Sequence, residues 1–307
     1  MALLIVATHS SLFVEFEQVY PMAQVFYSLA VPTFFAISTF IYGKKIIAAN
    51  NHKSAWKICK RDTIRLIQLA MFWIIVDFPM TYDSFYSIAS WKEILYALAF
   101  TDPIRGLWFI KALIINKMLI FLFRNDFMEL MVISLICFIV FSLGYTEQFG
   151  GFSHLLHPYF NFYFHTFFCC IGVLFAKIED INRFRIDYCA LLLAFAFLMT
   201  FYNPDYGIIL WRIVCPFFFM ALFIQIGRPV GILKSGFLYM RKVSILFYFL
   251  HFNFLWIYEK VFYLNEISPF GISSVRFSIV LMCCIIFSMI ILNFEQDRRL
   301  SFLKYSH

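Results

Sequence analysis

Apolar and polar residues follow one another along this chain in long blocks rather than by alternate positions. Apolar runs of helix length fall at residues 24–43, 63–80, 106–123, 127–145, 158–176, 186–202, 207–226, 243–264 and 274–294, and a shorter run opens the chain at residues 1–14. A spanning helix needs about 20 mostly apolar residues, because each adds ~1.5 Å across a ~30 Å hydrocarbon core. On that scale the opening run covers only about 21 Å. Strands of a membrane barrel would instead alternate with period two. The pattern predicts an all-α, polytopic helical membrane protein of about ten transmembrane helices, the first one truncated.

The links between the runs differ in character. Residues 44–65 carry Lys44, Lys45, Lys53, Lys57, Lys60, Arg61 and Arg65, and their second half reads as a basic amphipathic helix lying on the membrane. Residues 81–105 are polar and aromatic, suited to an interface. Tight turns are expected at Arg124-Asn125-Asp126 and Asn203-Pro204-Asp205. Residues 227–242 form a further basic link. The pattern shows no internal repeat and no appended soluble domain, so residues 1–307 read as one membrane-embedded domain.

Composition sharpens this picture. At 63% hydrophobic and 14% charged residues the chain is far from the roughly 25% charged residues of soluble domains. The net charge of +7 is unevenly spread. If the segments alternate sides from the second onward, eighteen of the 25 basic residues fall on one face. The positive-inside rule puts that face, with both termini, in the cytoplasm of a cell with this protein in its inner membrane. The charge therefore points to membrane lipids as partners and not to nucleic acid. The eight cysteines form no C-x-x-C pair and read as small packing residues.

Ionisable groups inside a span are costly, which makes each a functional candidate. His9, Asp77, Lys111, His165 (with Asn161), Arg212 and His251 are such groups, on six segments. Together they suggest a hydrated cavity. Asp77, Arg212 and His165 taken singly read more simply as partners that hold helices together. No Gly-rich phosphate loop, G-x-S-x-G elbow or H-E-x-x-H pair is present. His154 and His157 have a ligand-like spacing, but Pro158 follows and no carboxylate completes the set, so no metal is expected.

Several short motifs, in order, resemble the acyltransferase-3 family of bacterial integral-membrane acyltransferases. Ala7-Thr8-His9-Ser10 resembles its helix-one His motif, and Val31-Pro32-Thr33-Phe34-Phe35-Ala36-Ile37-Ser38 its P-x-F-F-x-x-S-G run. Lys60-Arg61-Asp62-Thr63-Ile64-Arg65-Leu66 resembles the basic approach to helix three, and Gly106-Leu107-Trp108-Phe109-Ile110 the L-W-F-L opening of helix four. Ile171-Gly172 is similar to the end of helix six, and Phe247-Tyr248-Phe249-Leu250-His251 to the Y-L-L-H of helix nine. Three positions depart from the pattern. Thr39 replaces the Gly after Ser38, Asp62 stands where the first Arg of R-x-x-R belongs, and the basic residue that precedes the helix-one His would lie before Met1. The chain is thus expected to start downstream of the family's usual N-terminus.

The resemblance implies transfer of an acyl group from cytoplasmic acyl-CoA, acetyl-CoA most simply, to a hydroxyl of a glycan or lipid-linked saccharide. It implies His9 as the catalytic residue, and it marks Ser38, Trp108 and His251, beside Lys111, as substrate or cavity residues. Chemistry agrees. An imidazole with a pKa near 6.5 can take a hydroxyl proton at neutral pH, and Lys60, Arg61 and Arg65 can hold the phosphates of coenzyme A. The rival reading is a transporter or flippase for a lipid-linked saccharide, which favours repeats and Gly/Pro-interrupted helix pairs that this sequence lacks. A non-enzymatic scaffold would leave the buried polar groups without a purpose.

Overall fold

The computed structural model describes residues 2–16, 19–86, 107–144, 161–178, 186–202, 204–226, 232–263 and 272–294. All regular structure among them is helical: α1 (Ala2–His9), α2 (Tyr20–Tyr27), α3 (Ala30–Ile47), α4 (His52–Tyr86), α5 (Leu107–Leu122), α6 (Phe127–Gly144), α7 (Asn161–Lys177), α8 (Ile186–Tyr202), α9 (Pro204–Ile226), α10 (Ile232–Tyr258) and α11 (Ser273–Phe294). A π-helical turn, Glu259–Tyr263, extends α10.

Four expectations need correction. The first apolar run is helical only to His9, not to residue 14, for reasons that belong to the site below. The run at 24–43 is two helices, broken at Ser28-Leu29. Pro32 has no N–H to give the Ser28 carbonyl, and its ring crowds that group, so the helix restarts at Ala30 with Pro32 in its first turn. The basic stretch is not a separate surface helix, because α4 runs unbroken from His52 through the third apolar run. Asn51 and Ser54 start it as a reciprocal cap: the Ser54 N–H donates to Asn51 Oδ1 at 2.8 Å, and the Asn51 N–H to Ser54 Oγ at 3.4 Å. Lastly, α10 begins at Ile232, inside the expected basic link.

The chain forms two compact units. One comprises Val31–Ile64 and Phe109–Gly227. Its centre is the approach of α3 to α7. A Cβ on Gly172 would lie 2.1 Å from the Ala36 carbonyl oxygen, and one on Gly43 would lie 3.0 Å from Ala176 Cβ. Small residues at these crossings let the two backbones touch, the usual arrangement where helices associate without a hydrophobic drive. Thr39 uses that closeness, its hydroxyl lying 2.9 Å from the Cys169 carbonyl and 2.8 Å from that of Phe35. Phe138 of α6 packs on Phe167 and Phe168 of α7. The α8–α9 pair is drawn together where Gly207 faces the Thr200 backbone, and Trp211 meets Phe197 at 5.5 Å.

This unit also buries charge. Asp62 lies 3.4 Å from Lys45 Nζ and 3.7 Å from Lys117 Nζ. Lys117 sits 5.2 Å from the centre of the Tyr42 ring, whose hydroxyl donates to the Lys117 carbonyl. A buried carboxylate needs such partners to be tolerated at all.

The other unit comprises Met1–Ala30, Arg65–Trp108 and Arg228–His307. Ala7, Ala23 and Tyr27 form an apolar cluster completed by Leu4, Leu12 and Phe277, which ties α1 to α2 and α11. Trp73 of α4 stacks on Phe249 of α10 at 4.7 Å, and one turn on Asp77 hydrogen-bonds Asn253. Phe254 meets Phe287 of α11 at 4.9 Å.

Among the described residues, two stretches are long and apolar enough to cross a membrane, Met22–Ile47 and Ser273–Phe294. On α6 the residues Met128, Val132, Ile136 and Val140, spaced by four, are all about half exposed. A continuous apolar stripe of that kind marks contact with lipid or another chain.

Candidate active site

The last residue of α1 is His9, and the chain behind it turns sharply. The Leu12 N–H donates to the Ala7 carbonyl at 3.0 Å and the Ser11 N–H to the Thr8 carbonyl at 3.1 Å. With Ser11 at φ 51°, these bonds make a Schellman C-cap, and Leu12 supplies its customary apolar contact beside Ala7. Glycine usually fills the left-handed position. Ser11 in its place hides the helix end from a reader of the sequence. Phe13 is also left-handed, at φ 68°, which a bulky side chain adopts only when its surroundings impose it.

The surroundings here are the start of α11. The Phe13 N–H donates to Ser273 Oγ at 3.0 Å. Ser273 in turn donates its hydroxyl and its backbone N–H to the two oxygens of Glu15. Glu15 thereby caps the N-terminus of a helix far from it in sequence, where the helix dipole favours an anion. Burial pushes the Glu15 carboxyl upward, but the bonds from Ser273 and the charge of Arg276 outweigh it, so Glu15 is held below its ordinary value. Arg276 completes the latch by donating Nε (2.9 Å) and Nη2 to the Ser10 carbonyl, at the C-terminal end of α1.

His9 held in this way stands beside α10. Its ring centre is 5.1 Å from that of His251 and 4.6 Å from that of Phe252. His9 is exposed, whereas His251 is fully buried. His251 Nδ1 lies 2.9 Å from the Phe247 carbonyl, which can only accept, so Nδ1 carries the proton. That fixes the tautomer and leaves Nε2 as a buried lone-pair nitrogen without a hydrogen-bond partner. An exposed imidazole at a rigid helix end, paired with a second imidazole of fixed tautomer, is equipped to accept and hold a proton.

The family model for an acyltransferase domain matches residues 1–294, nearly the whole chain and with both histidines inside it. The chain belongs to the acyltransferase-3 family. Neither the curated proteins nor the solved structures contain a match. Members of this family are typically membrane-embedded, in keeping with the two candidate spans.

Within this acyltransferase the sequence-derived site residues divide between the two units. His9 and His251 come together in one, which also holds Trp108, half-buried near the start of α5. Ser38 and Lys111, both half-buried, belong to the other. Lys60, Arg61 and Arg65 are all exposed on α4. Arg61 and Arg65, four apart, share one side of that helix, and Arg61 Nε is 3.7 Å from Asp62. His165, by contrast, is packed, its ring stacked on Phe35 at 4.8 Å. His154, His157 and the side chain of Asn161 lie outside the described residues.

Sequence reading missed the latch of the acyltransferase. Arg276 was one basic residue among seven off the cytoplasmic face, and Glu15 one of several polar link residues. The available signal was Arg276 itself, a lone cation at the start of an otherwise apolar run.

Proposed function

We propose that this acyltransferase is a membrane-bound O-acyltransferase that moves an acyl group, acetyl most simply, from cytoplasmic acyl-CoA to a hydroxyl of a cell-surface glycan or its lipid-linked precursor. The observation that carries the reading is the histidine pair: His9 exposed at a latched helix end, 5.1 Å from a His251 of fixed tautomer. His9 takes the proton of the acceptor hydroxyl as its oxygen attacks the thioester carbonyl. The C–S bond breaks, the acyl group becomes an ester, and the coenzyme A sulfur leaves with the proton that His9 held. His251 is a positioning residue that steadies the His9 ring and its charge. Arg61 and Arg65 offer two guanidinium groups from one side of α4 to the coenzyme A phosphates. The arrangement needs no metal.

The test is thiol release by purified protein in lipid nanodiscs, given acetyl-CoA with and without candidate glycans. Proton transfer by a placed base is worth about 10²–10⁴-fold, so His9→Gln is expected to lose at least about two decades of turnover at wild-type yield. Turnover at the wild-type rate would remove His9 from the chemistry. Saccharide transport without thiol release would favour the flippase reading.

A further inference from the structure

A second feature of the molecule lies outside the histidine site and has no part in the reaction above. In the unit built on α3 and α7, a cavity of about 250 Å³ opens among the C-terminal ends of α3, α5 and α7 and the N-terminus of α6. Its walls are of two kinds. Ile46, Ile47, Ile120 and Val173 make one side apolar. Arg124 in the α5–α6 link and Lys177 at the end of α7 make the other side cationic.

Among the described residues, neither cation takes part in an ion pair. Arg124 Nη1 is buried and has no hydrogen-bond partner, an expensive state for a guanidinium N–H. The Lys177 side chain is exposed, and its ammonium rests 4.5 Å from the centre of the Phe127 ring. Asn125 and Phe127 place the start of α6 at the same cavity, where the Phe127 and Met128 N–H groups come ahead of the first bonds of the helix, those from Glu129 and Leu130 to the Asp126 carbonyl. The cavity is also pre-formed: the Gly43 contact with Val173 and Ala176 fixes α3 against α7 at its back.

We propose that this cavity binds a phosphate group, and that the phosphate belongs to an anionic phospholipid headgroup whose glycerol and upper chain carbons lie along the isoleucine wall. The guanidinium supplies paired donors to phosphate oxygens, the ammonium a point charge, and the helix N-terminus backbone N–H groups. A free phosphate or the phosphates of coenzyme A share the charge chemistry but would leave the apolar wall unused. Basic pockets between membrane helices are suited to such headgroups.

The experiment uses the full-length protein in a mild detergent and follows its melting on titration with short-chain phosphatidylglycerol, short-chain phosphatidylcholine or inorganic phosphate. Phosphatidylglycerol is expected to stabilise saturably and phosphatidylcholine not. A basic residue near an anionic headgroup contributes about five-fold in affinity, so Arg124→Gln with Lys177→Gln is expected to weaken the phosphatidylglycerol effect about 25-fold. Lys53→Gln with Lys57→Gln, which removes the same charge from an exposed part of α4, is expected to leave it unchanged. Equal stabilisation by inorganic phosphate, lost in the first variant only, would keep the phosphate site and overturn the lipid as its source. Equal weakening in both variants, or no stabilisation by any ligand, would overturn the site. Should the double variant not fold, Lys177→Gln alone carries the test, with about a five-fold weakening expected and an unchanged midpoint overturning the proposal.

Discussion

Two histidines, one in each unit, sit in opposite settings. His9 lies at a helix end, exposed, and the turn behind it is held by hydrogen bonds to residues 258 to 266 positions away. His165 lies within α7, buried and stacked on Phe35. The first is positioned by polar bonds and the second by shape. Damage to the two regions should therefore differ in kind, with folding lost in one and turnover in the other.

The largest effect is expected in the shape-determined unit. A methyl on Gly172 would meet backbone atoms of Ala36 and Phe40, neither of which can swing aside. Overpacking costs about 1–3 kcal/mol and occasionally more, and a backbone clash belongs at the upper end. Gly172→Ala should lower the unfolding midpoint in a denaturant titration by a corresponding amount, while the molecules that fold keep their turnover. Turnover lost at unchanged stability would break the comparison.

A smaller and opposite result is expected at the latch. Arg276→Gln removes charged donors from the Ser10 carbonyl, and hydrogen bonds to charged groups are worth about 1.5–3 kcal/mol. Turnover should fall about ten-fold with KM for acyl-CoA little changed and the melting temperature lowered by only a few degrees, and Arg276→Lys should restore part of the loss. A fall in KM affinity alone would place Arg276 at the donor instead.

The mildest effect concerns acid. Glu15 is held below its ordinary value, so its contribution is fully present above the unfolded carboxylate pKa near 4.3 and is lost as pH falls through the folded value. Below about pH 4.3 the latch should loosen in the wild type, read as faster exchange of the Phe13 and Ser273 amides. Relative to intrinsic exchange at each pH, protection of these amides in Glu15→Gln should stay constant across that range.

How much of this was legible in the sequence depends on what fixes each feature. Residues 186–202 were read as one helix and are one, because an unbroken apolar run of that length between polar links, free of Pro and Gly, favours a single helix. The second half of residues 44–65 was read as helical and is, but not as a helix of its own, since charge marks a break in hydropathy and not in hydrogen bonding, and Lys and Arg extend a helix readily. His9 and His251 were each visible as polar residues in apolar runs. Their pairing was not, because it depends on the angle at which α1 meets α10. Nor was the latch, since its bonds join Ser10, Phe13 and Glu15 to partners that no local pattern singles out.

The reach of those bonds sets an order in time. Ser10 is joined to Arg276 across 266 positions, and a ribosome adds about 5–20 residues per second. For roughly 15–50 s after α1 emerges, the residues that fix the turn behind His9 have not yet been made. Closing so long a loop adds little entropy penalty over a shorter one, so the delay is one of synthesis rather than of search. A nascent chain, or one that stalls before α11, carries the histidine without its anchored turn. The turn behind His9 is thereby completed only when α11 has been made.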